Sequence, residues 1–302
     1  MLSTEVRDRR IDVGPVSVRV LEAGEGDVVL LLHGGVPGSA AYAGSAELWR
    51  PWIDDLARGN RVLAPDLPGC GGTRGESDEH LTITGSADLL LQMLSQLNVG
   101  AVHVVAHGES ALLALKLARS SAVVSSCTLL AGHQVAPTNE AVLNLTSAHP
   151  PVLAAPAARQ GWALDRLSYS SHHITPELLQ VPSGARDSVD GLPEAWRPGS
   201  GFDGRRRGDI ARAKAELYDF CRESSFDVPL ALVWAAEDPS TSVEYGYEIM
   251  RILARSAAAL EFHVMNRVGH FMFREDPAAL TRLLRSVWQA APARALGVPV
   301  NS

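Results

Sequence analysis

The feature that most constrains the fold is a series of short apolar runs that alternate with amphipathic stretches. The run at residues 28–32 (VVLLL) has no polar residue and stops at the glycine-rich segment 33–38. Such a run is typical of a strand buried on both faces of a mostly parallel sheet. Further strands are predicted at 16–22, 61–64, 102–106, 125–130, 229–234 and 260–265, and helices at 48–58, 84–97, 109–120 and 277–289. This alternation predicts the α/β class, with helices on both faces of the sheet.

The middle of the chain does not follow this pattern. Residues 133–227 are rich in Pro, Gly, Ser and Arg, with scattered aromatic residues. We therefore predict a core made of 1–132 and 228–302, with 133–227 inserted as a mainly helical cap. The ends, 1–9 and 292–302, are predicted to be loosely held tails.

Composition narrows the functional classes. Of 302 residues, 46% are hydrophobic, which excludes a disordered chain. The net charge of −7 argues against a nucleic-acid partner. The three cysteines cannot all pair and lack metal-ligand spacing, and no segment approaches the ~18 uncharged residues of a membrane span. These features predict a cytoplasmic protein without a membrane partner.

Polar residues follow three of the predicted strands. The glycine-rich segment begins with His33, Asp238 follows the strand at 229–234, and His270 follows the strand at 260–265. Ligands of open parallel sheets gather at the carboxyl ends of the strands, so these residues mark a candidate site. An acid and then a histidine, each after a late strand, is the order found in Ser-Asp-His hydrolases.

Four segments together resemble the α/β-hydrolase superfamily over nearly the whole chain: LLLHGGVPG, RVLAPDLPGCGGT, VWAAEDP and RVGHF. They are most similar to the hydrolases that cleave carbon–carbon bonds in ring-cleavage products, with epoxide hydrolases and proline iminopeptidases close behind. The resemblance implies an eight-stranded, mostly parallel sheet flanked by helices, with an inserted helical cap. It also implies that Asp238 and His270 are catalytic, that no cofactor is needed, and that backbone amides bind an oxyanion. The implied amides are those of Gly34, Gly35, Val36 and Glu109.

The sequence departs from this superfamily at the nucleophile. The stretch 104–111 (VVAHGESA) places Gly108 where the family has serine or aspartate. A register shifted by two residues would make Ser110 the nucleophile, but it would put Leu112 where a small residue must pack and would lengthen the strand past His107. We favour Gly108 at this turn. Losing a serine nucleophile costs about 10⁶ in kcat, so an acyl-enzyme mechanism is not expected.

The leading hypothesis is a cofactor-independent acid–base reaction by His270 and Asp238, such as a lyase, cyclisation or carbon–carbon bond reaction. The expected substrate is a hydrophobic carbonyl or aromatic small molecule, for example a polyketide-like secondary metabolite, and the expected assembly is a monomer or homodimer. Three alternatives stay open. In the first, the chain is a hydrolase that uses Ser110 or a water activated by His270. In the second, it is an inactive ligand-binding or interaction protein. In the third, it is a serine hydrolase inactivated by an engineered Gly108.

Several other side chains are candidates for the site. Glu109 is either a second acid/base or substrate contact, or a partly solvated carboxylate favoured by the start of a helix. Candidate substrate contacts are His33, His107, Trp162, Tyr169 and Phe271, although histidines in these two motifs more often serve as buried hydrogen-bonding supports. The remaining histidines have no acidic partner at metal-ligand spacing, so no metal is predicted.

Overall fold

Eight strands form one sheet in the order β1-β2-β4-β3-β5-β6-β7-β8. The structure is a computed structural model that describes residues 5–36, 40–74, 77, 79–137, 151, 153, 155–179 and 201–290. The strands are β1 (Arg7–Val13), β2 (Val16–Ala23), β3 (Asp27–Leu32), β4 (Asn60–Pro65), β5 (Val102–His107), β6 (Val124–Leu130), β7 (Leu230–Ala235) and β8 (Leu260–Met265). Strand β2 is antiparallel to β1 and β4, and all later pairs are parallel. The predicted fold class is confirmed.

Helices cover both faces of this sheet. The described helices are α1 (Arg50–Leu56), α2 (Ile83–Gln96), α3 (Ala111–Ser120), α4 (Pro156–Leu167), α5 (Pro176–Leu179), α6 (Gly201–Glu223), α7 (Val243–Leu253), α8 (Met272–Glu275) and α9 (Pro277–Ala290). Alternate residues of β3 enter two separate apolar clusters. Leu30 and Leu32 pack with α2 and α3, whereas Val29 and Leu31 pack with α1 and α9. Because both faces are buried, β3 reads as a continuous apolar run.

The prediction of a loose tail through residue 9 is wrong. Strand β1 begins at Arg7 and pairs with β2 along its whole length. The turn that joins the two strands contains Gly14, whose φ is +57°. The first four residues of β1 are exposed, while Ile11 and Val13 are buried. Charged side chains are common on exposed edge strands, where they discourage pairing with other chains. The predicted tail at 292–302 lies outside the described residues.

The described residues between 133 and 223 form helices and contain no strand. Helix α4, in this segment, is joined to the core by two sets of hydrogen bonds. The side-chain amide of Gln160 bonds both the N–H and the C=O of Ala43, at 2.9 and 3.0 Å. The C=O of Leu167 accepts from the N–H of His270 at 2.9 Å. The division into a core and a cap at 133–227 stays a prediction.

Arg274, in helix α8 just after His270, links this helix to the segment that follows α4. Its buried guanidinium donates to the C=O of Leu48 at 2.7 Å and to the C=O and Nδ1 of His173 at 3.0 and 3.2 Å. Burial, together with the charge of Arg274, lowers the pKa of His173 to about 3. The neutral ring can therefore accept from Arg274 through Nδ1.

Replacing Arg274 with methionine is expected to lower the free energy of unfolding by about 3 kcal/mol, because it leaves buried carbonyls without their charged donor. The matched control is Arg282→Met, at an exposed position of α9. Urea denaturation measures both variants. Equal midpoints for Arg274→Met and the wild type would contradict the role given to Arg274.

Candidate active site

Four strands end at the same edge of the sheet and bring the predicted site residues together. Strand β3 leads into Gly34 and Gly35, β5 into Gly108, β7 to Asp238, and β8 to His270. The carboxyl ends of adjacent parallel strands share one edge, so this convergence follows from the topology.

Asp238 and His270 are in direct contact. The Oδ2 of Asp238 lies 2.8 Å from Nδ1 of His270, and both side chains are buried. Burial alone would raise the pKa of Asp238, but the positive charge and hydrogen bond of His270 hold it well below its usual range. Burial lowers the pKa of His270, and the carboxylate outweighs burial and raises it above its ordinary value. With Nδ1–H directed at Asp238, Nε2 is left as the reactive nitrogen.

Gly108 lies opposite this nitrogen. Its φ is +57°, a conformation that glycine adopts without steric cost, and it starts the 3-10 turn Gly108–Ser110 between β5 and α3. A Cβ built at this position would lie 3.9 Å from Nε2 of His270 and 3.9 Å from Cα of Gly34, with ordinary contacts only. The backbone therefore has the sharp strand-to-helix turn of a nucleophile elbow, but the position facing His270 carries only hydrogen.

Ser110 faces a different group. Its buried hydroxyl donates to the C=O of His33 at 2.5 Å. A serine nucleophile must direct its proton at the general base. Within the described residues, Ser110 has no hydrogen bond to His270.

The Glu109 side chain is buried at the site and bonds the glycine-rich loop. This side chain is only 7% exposed, so the prediction of a partly solvated carboxylate is wrong. Its Oε2 accepts from the N–H of Gly35 at 2.9 Å. The Gly35 amide, predicted to bind an oxyanion, is therefore occupied by a carboxylate of the chain itself. Gly34 lies beside it, whereas Val36 is partly buried against the apolar cluster that contains α2 and α3.

Tyr42 is a site residue that the sequence analysis missed. Its buried hydroxyl lies 3.5 Å from Nε2 of His270 and 3.4 Å from Nδ1 of His107. Burial, with the negative charges of Glu109 and Asp238, raises the pKa of Tyr42 well above its ordinary value, so the phenol keeps its proton. Tyr42 lies in a loop that matches none of the motifs, and only its position in space identifies it.

The two motif histidines are structural supports. His107 donates through Nε2 to the C=O of His270 at 3.0 Å, and burial lowers its pKa well below the ordinary value. His33 donates through Nδ1 to the C=O of Gly34 at 2.8 Å and accepts from the N–H of Leu67 at 3.0 Å. Both nitrogens of His33 are thus bonded to backbone groups, and its role as a substrate contact stays a prediction.

The three predicted aromatic contacts lie in different places. Phe271 is fully buried, with its ring centroid 5.2 Å from that of His270. Trp162, on α4, is partly buried against the cluster that includes Tyr42 and Phe271. Tyr169 is 53% exposed and lines a surface cleft with residues 165, 166, 168, 170 and 171. That cleft includes none of the strand-end residues, and the role of Tyr169 as a substrate contact stays a prediction.

His133 is a second residue that the sequence analysis did not assign to the site. It follows β6 in the 3-10 turn His133–Val135 and donates through Nδ1 to the C=O of Ala131 at 3.2 Å. Burial lowers its pKa, against the opposing effect of the Glu109 carboxylate. We therefore treat His133 as a neutral imidazole near Glu109.

The described residues lack a metal-binding cluster and a candidate membrane span. They contain no group of three or more His, Cys, Asp or Glu side chains arranged to hold a metal ion. Among them there is also no helix long and apolar enough to cross a membrane.

Comparisons with known proteins agree with this fold. The chain is 23% identical over 278 residues to 2-hydroxy-6-oxo-2,4-heptadienoate hydrolase of Pseudomonas putida, covering 91% of this chain and 94% of that protein. It is 33% identical over 113 residues to the magnesium-chelatase 30 kDa subunit of Rhodobacter capsulatus, a match that spans 37% of either chain. A variant of a candidate epoxide hydrolase from Pseudomonas aeruginosa superposes with a TM-score of 0.72 at 19% identity, covering 93% of this chain and 94% of that one.

At 19% identity, the structural match shows a shared fold alone. The sequence model of the alpha/beta hydrolase family, however, matches residues 29–283, which is most of the chain. That range includes the glycine-rich loop, the turn at Gly108, and both members of the Asp238–His270 pair. The chain therefore belongs to the alpha/beta hydrolase family.

Proposed function

We propose that this chain is an enzyme in which His270 and Asp238 catalyse a cofactor-independent acid–base reaction without an acyl-enzyme. The proposed substrate is a small hydrophobic carbonyl or aromatic molecule, and the proposed chemistry is of the lyase, cyclisation or carbon–carbon bond type. One observation carries the proposal. The buried acid–histidine pair is complete, yet Gly108 faces its reactive nitrogen without a side chain.

The chemistry begins at Nε2 of His270. Because Asp238 accepts from Nδ1–H, Nε2 presents a lone pair that can remove a proton from a bound substrate. The space left by glycine at position 108 lets a substrate atom approach this nitrogen. General base catalysis of this kind contributes typically about 10²–10⁴ to the rate.

Tyr42 supplies a hydrogen-bond donor beside the base. Its phenol keeps its proton and lies 3.5 Å from Nε2. A substrate carbonyl oxygen placed against this hydroxyl would be stabilised as negative charge develops on it during proton removal. We therefore assign His270 as the base, Asp238 as the group that orients it, and Tyr42 as the donor to the substrate oxygen.

Hydrolysis by a water activated by His270 is the second candidate. The similarity to a carbon–carbon bond hydrolase over 91% of the chain favours it, and in this candidate a water takes the place of the missing side chain beside Nε2. Turnover in H₂¹⁸O separates the two candidates. A hydrolase incorporates ¹⁸O into the carboxylate product, whereas a lyase or cyclase does not.

The experiment that tests the proposal is a turnover screen of aromatic ketones, β-hydroxy ketones and vinylogous 1,5-diketones with wild type, His270→Ala and Ser110→Ala. We expect His270→Ala to lose about 10²–10⁴ of the wild-type rate, because the base is removed. Ser110→Ala is expected to keep the wild-type rate. Loss of turnover in Ser110→Ala, or full activity in His270→Ala, would contradict the proposal.

A further inference from the structure

The carboxylate of Glu109 occupies a position that commonly receives part of a ligand. A backbone amide at the glycine-rich loop is suited to binding an anion, and here the Gly35 amide binds Oε2 of Glu109 at 2.9 Å. The other oxygen, Oε1, has no hydrogen-bond partner among the residues that the structure describes. This oxygen can accept a hydrogen bond from a ligand.

The surrounding groups leave this carboxylate with little positive charge to balance it. Burial lowers the pKa of His33, His107 and His133, so these three imidazoles are neutral. The phenol of Tyr42 is protonated and also neutral. Protonated His270 is the sole cation among these groups, and Asp238 is already in contact with it. The site therefore carries net negative charge whether or not His270 is protonated.

We propose that Glu109 makes this site select ligands that carry a cationic amine on a hydrophobic body, and reject carboxylates. The inference names the ligand class of the same site, and it therefore rests on the proposed function. A ligand ammonium group would donate to the unpartnered Oε1. A ligand carboxylate would have to displace Glu109 from the Gly35 amide or lie beside it uncompensated.

Displacement of Glu109 is unfavourable for an anion for two reasons. The buried Glu109 carboxylate would lose its amide donor, and two like charges would share a site that excludes most water. An amine needs no such rearrangement. The expected contact for its hydrophobic body is Trp162, which is partly buried against the apolar cluster that contains Tyr42.

The test compares benzylamine with benzoate, which share an aromatic ring and differ in charge. Isothermal titration calorimetry measures both dissociation constants for wild type and Glu109→Gln, whose amide oxygen still accepts from Gly35. We expect wild type to bind benzylamine at least about tenfold more tightly than benzoate, and Glu109→Gln to lose this preference. The control is Glu25→Gln, an exposed glutamate before β3 and about 20 Å from the carboxyl end of that strand.

The imidazole signals of His270, followed by NMR during the same titrations, locate the bound amine. A cation near Nε2 disfavours the imidazolium, so benzylamine should lower the pKa of His270, and benzyl alcohol should not. The proposal is overturned if wild type binds benzoate as tightly as benzylamine, if Glu109→Gln keeps the preference, or if wild type shows no saturable binding of benzylamine. Binding is measured without turnover, so a failure of the proposed reaction would be recognised separately.

Discussion

Replacing Asp238 with asparagine is expected to lower kcat by about 10²–10⁴-fold, the range expected for loss of the general base, because it leaves His270 in the wrong tautomer. The carboxylate accepts from Nδ1 of His270, whereas an asparagine amide can donate to Nδ1 and place the ring proton on Nε2. The reactive nitrogen would then have no lone pair for the substrate proton. The control is the neighbouring change Glu237→Gln. Glu237 is exposed, and its carboxylate accepts from the N–H of Arg267 instead of from His270.

The pH dependence of kcat/KM tests the same pair independently. His270 acts as a base only when deprotonated, so activity rises with pH through its pKa, which Asp238 raises above the ordinary value. Removing the carboxylate lowers that pKa, so the residual activity of Asp238→Asn should begin at lower pH than that of wild type. A variant with wild-type kcat and an unshifted profile would contradict the catalytic role of Asp238.

Introducing serine at position 108 is expected to create ester hydrolysis through an acyl-enzyme, which we do not expect of the chain with glycine at this position. A hydroxyl one bond beyond a Cβ that lies 3.9 Å from Nε2 can reach hydrogen-bond distance of His270. The Gly35 amide is occupied by Glu109, so Gly108→Ser alone should hydrolyse p-nitrophenyl acetate slowly. Freeing this amide in Gly108→Ser/Glu109→Ala should add about 10²-fold, the effect of one oxyanion donor.

Gly14→Ser is the matched control for the backbone. Gly14 has the same φ of +57° and, like Gly108, has room for a Cβ, but it lies in the turn between β1 and β2. Any loss of stability from a side chain at positive φ should appear in both variants. No gain of esterase activity in either Gly108→Ser or the double variant would contradict the assignment of Gly108 to the elbow.

The sequence patterns predicted the sheet well because most of its strands are buried. A strand covered on both faces, such as β3, is a continuous apolar run that can be recognised without structural information. Strand β1 was missed because five of its seven residues are exposed and charged, so its sequence resembles a solvated terminus. Helix α3 begins at Ala111, two residues after its predicted start, because residues 108–110 form a tighter turn.

The site could be predicted only where a residue belongs to a motif that follows a strand. Asp238 and His270 fall in such motifs, and the structure brings them to 2.8 Å. Tyr42 and His133 come from segments without a recognisable sequence motif. Only the folded structure shows that they lie at the site. The direction of the Glu109 side chain was also unpredictable, because a glutamate beginning a helix usually faces solvent and this one bonds a loop 74 residues away.

Mass spectrometry of the intact protein after exposure to a serine-reactive fluorophosphonate tests the central claim most directly. The claim is that Gly108 holds the nucleophile position and that no serine replaces it. We predict no label on the wild-type protein and one label, at position 108, on Gly108→Ser. A single label on wild-type Ser110 would contradict the claim and would make this chain a serine hydrolase with a displaced nucleophile.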